Sequence, residues 1–204
     1  MKPVWPRIIL QLLTLASIQA TCMKQAGGAK INNPESMRTL FEFVEAKERD
    51  CWITVNDNVM GGRSKGGFSF KKNKLVFSGA TNTDGGGFSS IRIKPTELDL
   101  GNADGVVIRY KADGRTYKFD VRMGRSSIAH RIDFNTEKEA KGWREAKIRF
   151  VDLTATWRGI RLPKARQGLD KSKIQSLGFM IYDKKDGPFK LQIDWIKAYS
   201  KKVE

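Results

Sequence analysis

The chain has 204 residues, enough for one ordinary domain with a core of its own. A composition of 40% hydrophobic and 29% charged residues with 6 prolines excludes a disordered or collagen-like polymer. Lys and Arg number 38 against 22 Asp and Glu, a formal balance of +16. That excess favours anionic surfaces: nucleic acid, anionic lipid, acidic polysaccharide or an acidic protein.

The first residues read as targeting rather than fold. Lys2 and Arg7 precede the apolar run from Ile8 to Ile18, about the length of a signal-peptide core, and Ala20 offers a cleavage site. Residues 1–21 are therefore expected to be a signal peptide, giving a periplasmic, envelope-associated or secreted protein. Two alternatives stand beside this: a lipoprotein cut before Cys22, and a mitochondrial presequence. Residues 22–35, with two glycines, two asparagines and Pro34, read as a flexible tether. The domain is expected over 36–204. Glu35 to Glu48 could hold a short helix, or a first strand at Thr39 to Phe43.

The body then alternates with period two. Val106, Ile108 and Tyr110 share one parity and Arg109 and Lys111 the other. After the turn at Asp113-Gly114, Tyr117, Phe119 and Val121 alternate with Lys118, Asp120 and Arg122, which predicts a hairpin. The same pattern recurs from Leu177 through Ile181, a turn containing Asp186-Gly187, and Phe189 to Trp195. Trp195 falls on the apolar parity and is expected in the core. Further strands are predicted at Gly67 to Phe70, Lys74 to Gly79, Phe88 to Ile93, Ile132 to Phe134 and Ala146 to Phe150. About nine short strands with many glycine turns predict an all-β fold, an antiparallel β-sandwich or jelly roll. If the apolar parity faces the core, Arg109, Lys111, Lys118, Arg122, Lys147 and Arg149 face outward, and they would make one basic plate if their strands share a sheet.

Catalytic chemistry has little material. One His and two Cys argue against a zinc cage and against His-based acid/base work, and no cofactor or metal is expected. Cys51 beside Trp52 reads as a small buried hydrophobe. Asp57, Asp104 and Asp113 have no spacing that requires them to pair, so the chain is read as a non-enzyme.

Three ordered motifs resemble the complex I intermediate-associated protein family, assembly factors for respiratory NADH:ubiquinone oxidoreductase. The first is Trp52, Asp57, Val59-Met60-Gly61-Gly62, Ser64 and Gly66. The second is Phe77, Gly79 and Gly85-Gly86-Gly87-Phe88-Ser89-Ser90-Ile91-Arg92. The third is Asp113-Gly114-Arg115-Thr116-Tyr117, with Arg122 after it. Trp143, the step Trp157-Arg158-Gly159 and the run Leu177 to Tyr199 extend the likeness over Thr39 to Tyr199. Ile128 to Phe134 departs from the Tyr-centred strand that the family leads one to expect. The resemblance implies a galactose-binding-like jelly roll, assembly or binding work on a protein partner, and no catalytic residues.

Two physical readings remain for the motifs. Asp57 with Gly61 and Gly62, and the run Gly85, Gly86 and Gly87, are turn chemistry, with Trp52 as packing; or they form a backbone nest for an anion. The structural reading is preferred for these seven residues. Arg92, Arg115 and Arg158 are surface charge or bidentate clamps on an anion or partner, and Lys118 and Arg122 join them as candidates. The functions in view are a protein-binding assembly domain, taken as a monomer, an exported module for carbohydrate, anionic polysaccharide or a membrane surface, and an RNA-binding factor.

Overall fold

The structure, a computed structural model, describes residues 35–136 and 142–201. The expected signal peptide, its cleavage site, Cys22 and the tether as far as Pro34 lie outside the described residues. Among the described residues the strands are β1 (Ser36–Phe41), β2 (Trp52–Asn56), β3 (Lys65–Phe70), β4 (Leu75–Thr81), β5 (Ser89–Ile93), β6 (Gly105–Ala112), β7 (Thr116–Met123), β8 (Ile128–Asn135), β9 (Arg144–Arg149), β10 (Thr154–Trp157), β11 (Ile160–Arg161), β12 (Ile174–Ile181) and β13 (Gly187–Ser200). The segment left open between helix and strand contains both: β1 is followed by a single helical turn, α1 (Ala46–Asp50).

The strands pair antiparallel in two sheets. One is six-stranded, in the order β3-β4-β13-β6-β9 with β1 also on β13; the other is seven-stranded, β11-β10-β8-β7-β12-β5-β2. This is the expected antiparallel sandwich. Each strand buries one face, as alternation requires. Rings meet between the layers: Phe77 and Phe189 of the six-stranded sheet stand 6.2 and 6.4 Å from Tyr117 of the seven-stranded one, and Tyr110 meets Phe134 at 4.5 Å. Edge-on contacts of this kind suit the ring quadrupoles. Trp52 is buried in the same core against Phe41 and Phe43.

Both expected hairpins are corrected. β6 pairs with β13 and β9, whereas β7 pairs with β12 and β8, so the chain crosses from one sheet to the other between Ala112 and Thr116. β12 and β13 are separated in the same way. Each link is an arch. Alternation is identical in a hairpin and an arch, so the pattern located the strands but not their sheets. The six-residue basic plate falls with the hairpins. Lys118 and Arg122 lie on the seven-stranded sheet, while Arg109, Lys111, Lys147 and Arg149 lie on the six-stranded one.

One side chain ties the two arches together. Arg115 donates from Nε and Nη2 to the Asp183 carboxylate at 2.9 and 2.5 Å, and from Nη1 to the carbonyls of Gly187 and Pro188. Nη2 also reaches Thr81 Oγ1 and the Lys185 carbonyl, so every guanidinium N–H has an acceptor. Beside it, Asp113 accepts from the Lys190 amide at 2.6 Å and from the Tyr117 hydroxyl at 3.1 Å. The Asp183 side chain is 5% exposed and that of Arg115 11%. Burial alone would push the Asp183 carboxyl up, but Arg115 outweighs it and holds the carboxyl below its ordinary value. Removing one partner of such a pair strands the other charge. Arg115→Ala is expected to lower stability by about 3–5 kcal/mol in chemical denaturation. A midpoint within experimental error of the parent would show that the arches hold without the clamp.

Candidate functional site

The glycine motifs converge on one buried carboxylate. Asp57 opens the tight turn after β2, Asp57–Met60, and is fully buried. Its Oδ1 accepts the Ser64 amide at 2.9 Å; its Oδ2 accepts the amides of Gly87 at 2.6 Å and Phe88 at 3.2 Å. The backbone nest therefore exists, and the anion inside it is the chain's own. Gly61 takes a positive φ of 87°, but Gly62 does not and is needed for a different reason. A Cβ on Gly62 would stand 2.3 Å from Asp57 Cγ, and one on Gly86 2.4 Å from Asp57 Oδ2. Gly85 and Gly87 turn the chain at φ of 77° and 113°. This arrangement supports the structural reading of the motif.

Burial pulls the Asp57 carboxyl up, but the hydrogen bonds from Ser64, Gly87 and Phe88 together outweigh it, so its pKa lies below the ordinary value. A carboxyl depressed on folding contributes stability in full above its unfolded pKa of about 3.9, and loses it as the pH falls through the folded value. Asp57→Asn should therefore destabilise the fold at neutral pH and flatten the loss of stability below about pH 4. Gly86→Ala should cost about 1–3 kcal/mol by overpacking the carboxylate. Unchanged melting in both variants would return the motif to a ligand role.

The remaining candidates separate. Arg115 is the clamp already described, with its donors used inside the chain. Arg158 sits at φ 48° before Gly159 at φ 84°, in the tight turn joining β10 to β11, where Trp157 pairs with Ile160. Its guanidinium stands 4.9 Å from the Trp157 ring centroid. Arg92, Lys118 and Arg122 come together on the outer face of the seven-stranded sheet.

Register builds that face. Ile91, Phe119 and Phe179 are core residues, so their neighbours point outward. Cross-strand pairing aligns Ile53, Arg92, Gly178, Asp120, Arg131 and Thr154 in one row across six strands. Val55, Ser90, Met180, Lys118 and Asp133 form the next row on one side, and Arg122 stands two residues along β7 on the other. Gly178 adds no side chain to the middle of the row and is itself buried. A Cβ there would meet Ile91 O at 2.5 Å and Arg92 Cβ at 2.7 Å.

Charge on this face does not balance. Lys118 pairs with Asp133. Arg122 and Arg131 share Asp120 at 3.7 and 3.5 Å, long for hydrogen bonds. Arg92 makes no hydrogen bond or ion pair among the described residues. The Nε atoms of Arg122 and Arg131 are buried without a partner. Burial, and then the charge of Arg122, lower the pKa of Arg92; burial outweighs Asp120 in lowering that of Arg131. Two guanidiniums thus share one carboxylate with a third, Arg92, unpaired beside them, an arrangement that favours an added anion.

The outer face of the six-stranded sheet is different, because four of its cations have carboxylate partners. Arg109 and Lys74 reach Asp194 at 3.1 and 2.5 Å, Arg149 reaches Asp152 at 2.7 Å, and Lys147 pairs with Glu35. Lys74 and Arg109 also lie over Trp143, and Lys197 over Trp195. Trp195 is not in the core. A register shift between Ile193 and Trp195 turns it to the outer face, where it is half-buried.

Sequence reasoning missed Arg131. It lies in the segment that departs from the family pattern, and the expected strand began at Ile132, four residues after the observed start at Ile128. Cys51 carries a free, half-buried thiol that donates to the Glu48 carbonyl, and burial pushes its pKa up. His130 is buried in β8 with Nε2 3.0 Å from the Gly168 carbonyl.

Comparison with known proteins places this geometry. Residues 41–193 match the family model described as Complex I intermediate-associated protein 30. A mouse protein named Complex I intermediate-associated protein 30, mitochondrial, is 27% identical over 188 residues, covering 81% of this chain. The match spans 57% of the length of that relative. Among solved structures, a family 11 carbohydrate-binding module from Clostridium thermocellum, in complex with a β-1,3-1,4-mixed-linked tetrasaccharide, aligns with a TM-score of 0.59 at 16% identity, over 82% of this chain and 98% of that one. An agarase, AgWH50C, aligns with a TM-score of 0.55 at 13% identity, over 82% of this chain and 25% of that one. At these identities the structural likeness shows the fold alone.

Proposed function

The chain belongs to the complex I intermediate-associated protein 30 family, and from that premise we propose that it is a non-catalytic domain that holds a protein partner during assembly of a respiratory complex I. The observation that carries the reading to a surface is the outer face of the seven-stranded sheet, where Arg122 and Arg131 share Asp120, Arg92 stands without an ion pair among the described residues, and half-buried Ile53, Val55 and Met180 lie beside them. Arg and Met are enriched at protein interfaces.

A neutral glycan is the weaker reading. Stacking on sugar needs exposed rings, and the outward positions of this face are Arg, Lys, Asp, Ser, Thr, Gly and aliphatic residues. The outward tryptophans of the other sheet, Trp143 and Trp195, already lie under lysine and arginine side chains, and Trp157, exposed at the β10–β11 turn, has the Arg158 guanidinium over its ring. Residues 1–21 are read as an export leader and 22–35 as its tether, with a mitochondrial destination as the alternative; complex I assembly needs the alternative, because an exported domain would be parted from the assembling complex. Determining the N-terminal residue of the mature protein and its compartment decides between them.

A photo-crosslinking residue at Thr154, on the proposed face, is expected to capture a subunit of complex I in cells, identified by mass spectrometry. The same residue at Lys111, on the other sheet, is expected not to. Capture from Lys111 and not from Thr154 would move the partner to the opposite face. Capture of nucleic acid or glycan alone would overturn the protein-binding reading.

A further inference from the structure

We propose that the row Arg92–Gly178–Asp120–Arg131, with Arg122 beside it, is the docking site for an acidic segment of a protein partner. The inference rests on the reading of this face as the partner surface and adds the chemistry of what it takes. Three guanidiniums and one carboxylate leave an excess of two positive charges on half-buried side chains. Their hydrogen bonding is incomplete: Arg92 makes no hydrogen bond among the described residues, Arg122 donates from Nη1 to the Ser127 carbonyl at 3.1 Å and Arg131 from Nη1 to Met180 Sδ at 3.8 Å, and the Nε atoms of both are buried without a hydrogen-bond partner. Guanidinium forks are matched by carboxylates, which accept two parallel N–H bonds.

The layout suits a chain rather than one small anion. Arg92 and Asp120 lie on strands separated by β12, so their Cα atoms are about 10 Å apart at the usual strand spacing. Between them Gly178 carries no side chain and lies buried among its neighbours. Carboxylates two or three residues apart on an extended segment span about 7–10 Å. They can therefore reach Arg92 on one side of Gly178 and the Arg122 and Arg131 pair on the other. Apolar surface continues beside the cations. Ile53 neighbours Arg92 in register, Val55 and Met180 flank Ser90, and the turn after β2 leaves Val59 and Met60 68% and 66% exposed. A free phosphate or an acidic polysaccharide makes no use of that rim, whereas a segment mixing acidic and apolar residues does.

The test titrates the full-length protein with a short synthetic peptide in which glutamate alternates with Ser and Leu, with the same peptide carrying glutamine instead, and with inorganic phosphate. Binding of the glutamate peptide and not of the glutamine peptide is expected, with affinity falling steeply as salt rises. Arg92→Gln should weaken it by about tenfold or more. It should leave the melting temperature of the free protein unchanged or raised, because it removes like-charge crowding and no hydrogen bond. Arg109→Gln, on the other sheet, should bind as the parent does. Equal affinity in the two variants overturns the site, and a lower melting temperature in Arg92→Gln would show a structural role instead. Displacement of the peptide by phosphate at comparable concentration would overturn a protein segment as the occupant. Loss of the Arg92 effect while Thr154 still captures a complex I subunit rejects this site alone. Arg92-dependent peptide binding with no such capture rejects the assembly reading alone.

Discussion

The Arg115–Asp183 clamp is the contact on which the rest of this molecule's geometry depends. A sandwich whose strands change sheet at tight turns must hold two layers in register at those turns, where the ladder itself gives no help. Arg115 does so with five donors in a rigid fork, reaching a carboxylate and backbone carbonyls in the partner arch. Asp113 adds a second link through the Lys190 amide. The strands leaving these arches on one side are β7 and β12, neighbours at the centre of the seven-stranded sheet. Their register places Gly178 opposite Asp120, and so decides which side chains meet on the outer face.

The same fold uses ionic groups in two ways, and accounting for partners separates them. Asp57 and Arg115 are enclosed and saturated. Their charges are met by amides or carbonyls of the chain, and any alteration is felt as lost stability. Arg122 and Arg131 are nearly as buried as Arg115 but incompletely met, and Arg92 beside them has no hydrogen bond among the described residues. The six-stranded sheet carries comparable positive charge, yet Asp194, Asp152 and Glu35 compensate it locally. Net charge alone, +16 for the chain, does not distinguish the two faces. The supply of acceptors around each guanidinium does.

Most strands could be read from alternation, because a half-buried strand writes its parity into the chain. The sheet each strand joins could not, since Asp113-Gly114 and Asp186-Gly187 serve a hairpin and an arch equally well. That ambiguity produced the single basic plate that the structure divides between two layers. Trp195 was misplaced because a bulge after Ile193 reverses parity without a local signal. For the site, Arg92, Lys118 and Arg122 were visible as polar-parity residues inside family-like motifs. Arg131 was not, though extending the period-two pattern of Ile132 and Phe134 back through His130 would have exposed it. That Gly62 and Gly86 serve contact with Asp57 rather than positive φ is information only the folded chain contains.

The central claim is that the Nε–H groups of Arg122 and Arg131 lack acceptors until a partner supplies them. Arginine Nε–H resonances in nitrogen-15 NMR report this directly, with Arg115 as an internal reference already bonded to Asp183. The account predicts that the Arg122 and Arg131 signals shift and gain protection from solvent exchange when the acidic peptide is added, while the Arg115 signal stays where it is. Protection of all three signals in the free protein, or an Arg122 and Arg131 pair that the peptide leaves unmoved, would contradict it.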